Sequence, residues 1–526
     1  MADTAPPMPN PSSGKKRSLL QVRTAKFADI PQIVELSRRA FNDDLGSSAG
    51  MIQGQIAAFP EGQFVVDYEG KVIGYAASFR VSEKVAMAPH TWYEISGGGY
   101  ASRHDPKGDW LYGLEVAVDP DYRRLRIGQR LYDTRTRLCE AEGLKGIVFG
   151  GRMAGWSRRK KQYPDPQAYL DAVADKKVND PVIAFHLRAG FRPIGVLKNY
   201  MPYDTGSEGY ASHMVWRNPY ADKALEIRSI PHGRKESVRV ATVQYQQRMI
   251  RDFNEFITNI EYFVDVASGY RSDFVVFPEL ITLQLLALAN VKLSPSEALE
   301  TLTDYTPRIV EKLREMAIAH NINIIGGSHP TRTEDGDIQN VAYVALRDGS
   351  VYSQEKIHPT PSERDWWSIK GGDKIAAIPT DCGLIGVLIC YDSEFPELSR
   401  RLVDEGARIL FVPFCTDNRQ GYLRVRYCSQ ARAVENQCYV VLSGNVGNLP
   451  NVDNMDINYA QSCILTPCDF PFARDGVAAE CTENVETVGM ADLDMTSLSW
   501  ARAEGTVHNL RDRRFDLYQI AWTDGG

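Results

Sequence analysis

The sequence has no long apolar run: no stretch reaches the roughly 20 residues that cross a bilayer, and nothing near its start has the apolar core of a signal peptide. A membrane role is therefore not expected. Cysteine is thinly spread. The 9 cysteines are an odd number with no CxxC pair, which argues against a zinc ribbon and fits a reducing compartment better than a disulfide framework, so a cytoplasmic location is expected. The 9 histidines form no HxxxH-type cluster, and no metal is implied. Positive charge is also short: 60 Lys and Arg against 67 Asp and Glu leave a net charge of −7, which argues against a general nucleic-acid binder.

What is present is enough chain for two domains, with 43% hydrophobic and 24% charged residues, the proportions of a globular protein. Residues 1–18, rich in Pro, Ser and Asn, read as a disordered tail. An α/β unit spans 19–216, a polar linker with Pro231 and Gly233 covers 217–236, and a second α/β unit runs over 237–520. In the first unit, Asp29 to Pro31 opens a helix, Gln63 to Val81 is a hairpin turning at Glu69-Gly70, and a strand ends at Val118. The segment Tyr122 to Gln129, YRRLRIGQ, then puts arginines, a glycine and backbone N–H groups at the start of a helix from about Ile127. Such a start suits a pyrophosphate; a solvated basic helix start is the plain alternative. Gly151 to Lys177, with SRRKKQ, is most simply a solvated charged loop.

Three segments of the second unit share one form, an apolar strand that ends in a chemically active residue. SDFVVFPEL delivers Glu279, VYSQEKIHPTPSERDWW delivers Lys356, and LIGVLICYDSEFPE delivers Cys390. A buried carboxylate must be paired or shifted upward in pKa. A thiol at the end of such a strand is expected to be exposed, with its pKa lowered by the helix that follows. Each has a bland counterpart: a helix cap for Glu279, a solvated strand end for Lys356, a packed thiol for Cys390. Asp392 and Glu394 beside the thiol read as helix caps. His358 offers a rival base for a Cys–His dyad, or is a packing residue.

Tyr122 to Gly128 resembles the acetyl-CoA loop of the GNAT N-acetyltransferases, and NDPVIAFHLRAGF, Asn179 to Phe191, resembles that family's later helix; the likeness covers about residues 19–216. It implies a mixed sheet with flanking helices and acetyl-CoA held by Val116 to Val118, Arg123, Arg124, Arg126, Ile127 and Gly128. Glu115 is a candidate base, or a strand carboxylate paired with an arginine. His186, where many members have a tyrosine, and Tyr200 in KNYMPYD are candidate acids. Arg126 stands where the family's first glycine is usual.

FPEL, EKIHPTPSE and CYDSEFPE, about 77 and 34 residues apart, together with QARAVENQ at Gln430 to Gln437 and the terminal NLRDRRFDLY, resemble the nitrilase, or carbon-nitrogen hydrolase, superfamily over roughly residues 237–520. The resemblance implies a four-layer α-β-β-α sandwich, a homodimer or larger homo-oligomer, and an amidase that needs no cofactor. It assigns Cys390 as nucleophile, Glu279 as base, and Lys356 with the Tyr391 N–H as oxyanion donors. Glu363 orients substrate or lysine. The resemblance implies a small amide, carbamoyl amine or nitrile as substrate, an amide being preferred because nitrilases proper are a minority branch. Thr416 to Tyr422 and Asn445 to Asn454 are the expected pocket loops, and Arg419 hints at an acidic substrate. Two alternatives stay open: acetyl transfer to an amine or protein N-terminus is the physiological activity, or the GNAT-like unit only binds CoA as a regulatory module.

Overall fold

A computed structural model describes residues 19–41, 46–219, 221, 236–289, 292–450, 452, 457–518 and 520–523; the tail 1–18, most of the 217–236 linker, part of the 445–454 loop and the side chain of Arg124 lie outside the described residues. The chain divides into two compact units, Met1–Ile230 and Pro231–Gly526.

The first unit is built on a seven-stranded mixed sheet. Its spatial order is Leu20–Thr24, Gln63–Tyr68, Lys71–Val81, Trp110–Val118, Gly146–Arg152, Ala211–Arg217, Arg192–Leu197. All neighbours are antiparallel except the central pair, Trp110–Val118 beside Gly146–Arg152, where parallel pairing is confined to Leu111–Ile147 and Tyr112–Val148. Glu69 and Gly70 both take positive φ, the geometry that matches a two-residue hairpin to strand twist. Helices cover both faces. Ile30–Phe41 buries Ile33 and Leu36 against Tyr75, Ala77 and Tyr112 on one side, and Ile127–Ala141 carries Tyr132 and Cys139 onto Leu111, Ile147 and Phe149 on the other. The charged segment Gly151 to Lys177 is not a solvated loop. It contains the helix Pro166–Ala174, whose Tyr169, Leu170 and Val173 pack with Met153, Trp156 and Ile183 into a separate small core; the apolar positions at helical spacing outweigh the lysines and arginines that flank the helix.

The second unit has two sheets joined at a narrow seam. One contains Val351–Glu355, Ile338–Ala345, Asn323–Arg332, Phe274–Val276 and Ser237–Gln246, with Thr487–Asp494 antiparallel to the last. The other contains Tyr439–Val446, Ile409–Phe414, Gly383–Val387 and Ile378–Thr380, with Cys463–Leu465 and Val477–Glu480 added. The seam is the pairing of Asn445 and Val446 with Tyr245 and Gln246. Alternation within each strand supplies two apolar faces. Val240, Phe274 and Val276 meet Val387 and Phe411 between the sheets, with the Phe274 and Phe411 rings 5.2 Å apart. The odd-face residues Ala241, Val243, Val275 and Phe277 pack outward on the helices Phe253–Gly269 and Thr306–His320. On the other flank, Pro396–Asp404 and Arg419–Glu435 bring Leu398, Leu402 and Val425 onto the second sheet. The layers are helix, sheet, sheet, helix, and the parallel strands end together where Glu279 and Cys390 emerge.

Candidate active site

Glu279 is set by its turn. After Phe274–Val276, Leu280 adopts φ +50°, Leu280 N–H donates to Ser328 Oγ at 3.0 Å, and Asn445 Nδ2 donates to the Glu279 carbonyl at 2.6 Å. Room for the turn comes from Gly327, at φ +71°, where a Cβ would lie 2.0 Å from the Pro278 carbonyl oxygen. Lys356 follows Val351–Glu355, its N–H bonded to the Asn340 carbonyl at 2.8 Å. Glu363 lies in the short helix Pro361–Asp365, capped reciprocally with Thr360.

These side chains converge. Lys356 Nζ donates to Glu279 Oε1 at 2.7 Å and to Glu363 Oε2 at 2.5 Å. Lys356 is 1% exposed and Glu279 2%, so water screens none of this and the charges must answer one another. They respond differently. Burial raises the Glu279 carboxyl, Lys356 pulling it back and Glu363 pushing it further up. Burial also opposes charge on Glu363, but Lys356, the Thr360 N–H and Asn340 outweigh it and hold Glu363 below the usual range. For Lys356 burial works against the ammonium and both carboxylates overcome it. Two carboxylates driven apart in this way suit one to hold a charge and the other to carry a proton.

Cys390 opens a 3-10 turn, Cys390–Glu394, at φ +48°, a conformation an L-residue adopts only when the surroundings enforce it. Ser393 Oγ bonds the Cys390 carbonyl at 2.7 Å, and the buried Arg432 holds the Ser393 carbonyl at 2.9 Å and the Glu394 carbonyl at 3.2 Å. The thiol donates to the Cys415 carbonyl at 3.9 Å and lies within reach of the Glu279 charge, which acts on its pKa. The expected exposed thiol of lowered pKa is corrected here. Cys390 is 5% exposed, and burial, then the Glu279 charge, push its pKa up while Lys356 opposes them. The next α-helix, Pro396–Asp404, starts only after the 3-10 turn, so its dipole does not end at the sulfur.

The neighbours take other parts. Asp392 caps no helix: its oxygens accept from the N–H groups of Ile357 at 3.1 Å and His358 at 2.8 Å, tying the lysine loop to the cysteine turn. His358, the rival base, has Nδ1 3.0 Å from Asp392 Oδ1 and its ring stacked on Phe395 at 3.7 Å. Tyr391 packs edge-on to Phe395 at 5.0 Å. Glu394 lies 3.7 Å from Arg424. Arg419 does not hold charge in reserve for an acidic substrate: it bonds Tyr459 at 3.0 Å and Glu483 at 3.2 Å. Asn340, Arg432 and Gly327 escaped the sequence reading; QARAVENQ contained Arg432 without showing its target.

In the first unit, Arg126 occupies the left-handed region at φ +49° where the glycine is usual. It precedes Ile127 and Gly128 in the first turn of Ile127–Ala141 and gives that turn no side-chain cap. Gly128 has a packing task as well, since a Cβ there would sit 2.8 Å from the Phe185 ring. Arg123 is exposed, and Val116 and Val118 are partly buried at the end of their strand. Glu115 is not paired with an arginine through its carboxylate. Ser37 Oγ at 2.8 Å and Ser47 Oγ at 2.5 Å hold it, against a burial that raises it, while Arg135 Nη2 donates to its backbone carbonyl at 2.5 Å.

The two candidate acids part company. His186 Nδ1 lies 3.0 Å from Tyr132 Oη, on the face covered by Ile127–Ala141, and burial with help from Arg135 lowers its pKa to about 3. It is neutral near pH 7 and has no imidazolium proton to give. Tyr200 bonds Tyr112 Oη at 2.9 Å, and Tyr112 Oη lies 2.8 Å from His90 Nε2. Tyr112 packs on the face of Ile30–Phe41, which also carries Ser37, so this phenol pair shares the side of Glu115.

Among the described residues, no group of three or more His, Cys, Asp and Glu could hold a metal ion, and no helix is long and apolar enough to cross a membrane.

Residues 239–503 match the carbon-nitrogen hydrolase family and residues 30–154 the acetyltransferase (GNAT) family. The probable hydrolase YhcX of Bacillus subtilis is 44% identical, over 95% of this chain and 97% of its own length. The uncharacterized N-acetyltransferase YkwB of the same organism is 31% identical over 40% of this chain and 94% of its own. Omega-amidase NIT3 of Saccharomyces cerevisiae is 29% identical over 40% of this chain and 71% of its own.

Proposed function

The chain belongs to the carbon-nitrogen hydrolase family and carries a GNAT acetyltransferase domain, and on that premise we propose that its second unit hydrolyses a small amide through a thioester on Cys390. The observation that carries this reading is the buried Glu279–Lys356–Glu363 cluster beside a thiol on a left-handed turn. Because the thiol's pKa is raised, the sulfur does not wait as a free thiolate. Glu279, raised toward the strength of a useful base, takes the proton as sulfur attacks the carbonyl carbon. Lys356 keeps its proton between two carboxylates and donates to the oxyanion together with the Tyr391 N–H. Glu279 returns the proton to the departing amine, then draws one from the water that attacks the thioester and hands it to the sulfur as the C–S bond breaks, and Glu363 stays ionised to hold the lysine. That relatives bear amidase names supports an amide over a nitrile.

The first unit is read as an acetyl-CoA-dependent N-acetyltransferase. Acetyl-CoA supplies an acyl thioester. The first turn of Ile127–Ala141, to which Arg126 gives no side-chain cap, with Arg123 in the 3-10 turn that precedes it, fits its pyrophosphate. Glu115, poised by two hydroxyls, accepts the amine proton, and Tyr200 is the acid on its side of the sheet.

The test is ammonia release from a panel of small amides, N-carbamoyl amines and nitriles, wild type beside Cys390→Ala. Release from an amide that disappears in the variant is expected. Release that persists in the variant would overturn the thiol mechanism, and a response confined to nitriles or carbamoyl amines would overturn the choice of an amide.

A further inference from the structure

Nothing in its sequence neighbourhood distinguishes Asn340, a polar residue in the strand Ile338–Ala345, yet it lies at the centre of the charge cluster and is fully buried. Its Nδ2 donates to Glu279 Oε1 at 3.0 Å and to Glu363 Oε1 at 2.9 Å, and its backbone carbonyl receives the Lys356 N–H at 2.8 Å. One residue thus touches both carboxylates and the backbone of the lysine that lies between them. Its amide orientation follows from chemistry: turned over, Oδ1 would face two carboxylate oxygens. That orientation leaves Oδ1 without a hydrogen-bond partner among the described residues.

The consequence lies in how Glu279 is loaded. Oε1 accepts from both Lys356 and Asn340, whereas Oε2 accepts the Cys415 N–H at 3.0 Å. With two donors already on Oε1, the oxygen with room for a proton is Oε2. We propose that Asn340 is a positioning residue that directs the Cys390 proton to Oε2 of Glu279, a role that rests on reading Glu279 as the base. In the step, the S–H bond breaks, an O–H bond forms at Oε2, and sulfur uses the freed electron pair to bond the acyl carbon. The groups facing Glu279 are Lys356, Glu363, Cys390 and the Cys415 N–H, and the Cys415 thiol also feels its charge.

Iodoacetamide alkylation of Cys390 reads this step without needing the substrate. Its pH dependence is followed site by site by peptide mass spectrometry on the full chain, for wild type, Asn340→Ala, Asn340→Ser and Glu279→Gln. The Asn340 N–H bonds favour the ionised carboxylate. Their loss is therefore expected to move the alkylation midpoint to higher pH and to slow the reaction about tenfold below it. Serine, with one donor, moves it less, and carries the test should the alanine variant not fold. Midpoints that coincide in wild type and the folded variants would overturn the proposal, whatever happens to Tm. A Glu279→Gln profile like wild type would also overturn it by removing the base. A moved midpoint beside a silent amide panel would support Asn340 and count against the amidase reading alone.

Discussion

At the scale of single residues, the charge count of the cluster separates two substitutions that both abolish a catalytic group. Glu279, Glu363 and Lys356 together bear one excess negative charge when ionised. Glu279→Gln makes the set neutral and keeps the shape, so hydrolysis is expected to fall about 10²–10⁴-fold with Tm little changed. Lys356→Ala leaves two buried carboxylates facing each other. It should lose a similar factor in rate and also destabilise the second unit by roughly 3 kcal/mol, measurable by urea unfolding. A second residue-scale prediction concerns histidine. Burial lowers His186 and His329 to about 3 and His213 to about 4. The folded chain keeps these rings neutral, while the unfolded chain protonates them below the ordinary value of 6.5. The unfolded state therefore binds more protons in that window, and stability, complete above pH 6.5, is lost as pH falls toward 3. His329 is bonded at both nitrogens, to Thr282 at 2.8 Å and Thr306 at 2.9 Å. In His329→Asn the acid slope of Tm against pH should be shallower than in wild type, although Tm itself is lower.

At the scale of elements, the turn carrying Glu279 depends on a residue in another strand. Gly327→Ala would drive a methyl onto the Pro278 carbonyl at a positive φ. It is expected to cost about 1–3 kcal/mol in urea denaturation and to depress hydrolysis by shifting Glu279. This dependence marks the limit of what the chain discloses about itself. The strands leading to Glu279, Lys356 and Cys390 are legible because short apolar runs stopped by turn residues have few other solutions. The hairpin at Glu69-Gly70 is legible for the same local reason. The Gly326-Gly327 irregularity in Asn323–Arg332, the donor role of Asn340 and the grip of Arg432 on the Cys390 turn are not, because each depends on a partner dozens of residues away. The exposed thiol was a local inference defeated by tertiary packing: a strand end can be a turn and still be roofed by Glu279 and Cys415. The helix Pro166–Ala174 was obscured by the charges around it, although Tyr169, Leu170 and Val173 are spaced for one face.

At the scale of the whole chain, the large cores of the described residues are each assembled from one unit: Ile33, Tyr75 and Tyr112 belong to one set, Leu111, Tyr132 and Phe149 to another, Phe274, Val387 and Phe411 to a third. Each unit is of the size that folds by itself. Calorimetry of the full chain is therefore expected to show two transitions, one for each unit. Lys356→Ala should lower the transition of the second unit and leave the other in place. An acetyl-CoA titration should raise the transition of the first unit alone, by mass action on its folded state. A single transition that both perturbations move together would mean that the units fold as one body. In that event the chemistry of the first unit would be coupled energetically to that of the second, and the Lys356 variant would bind acetyl-CoA less tightly than wild type.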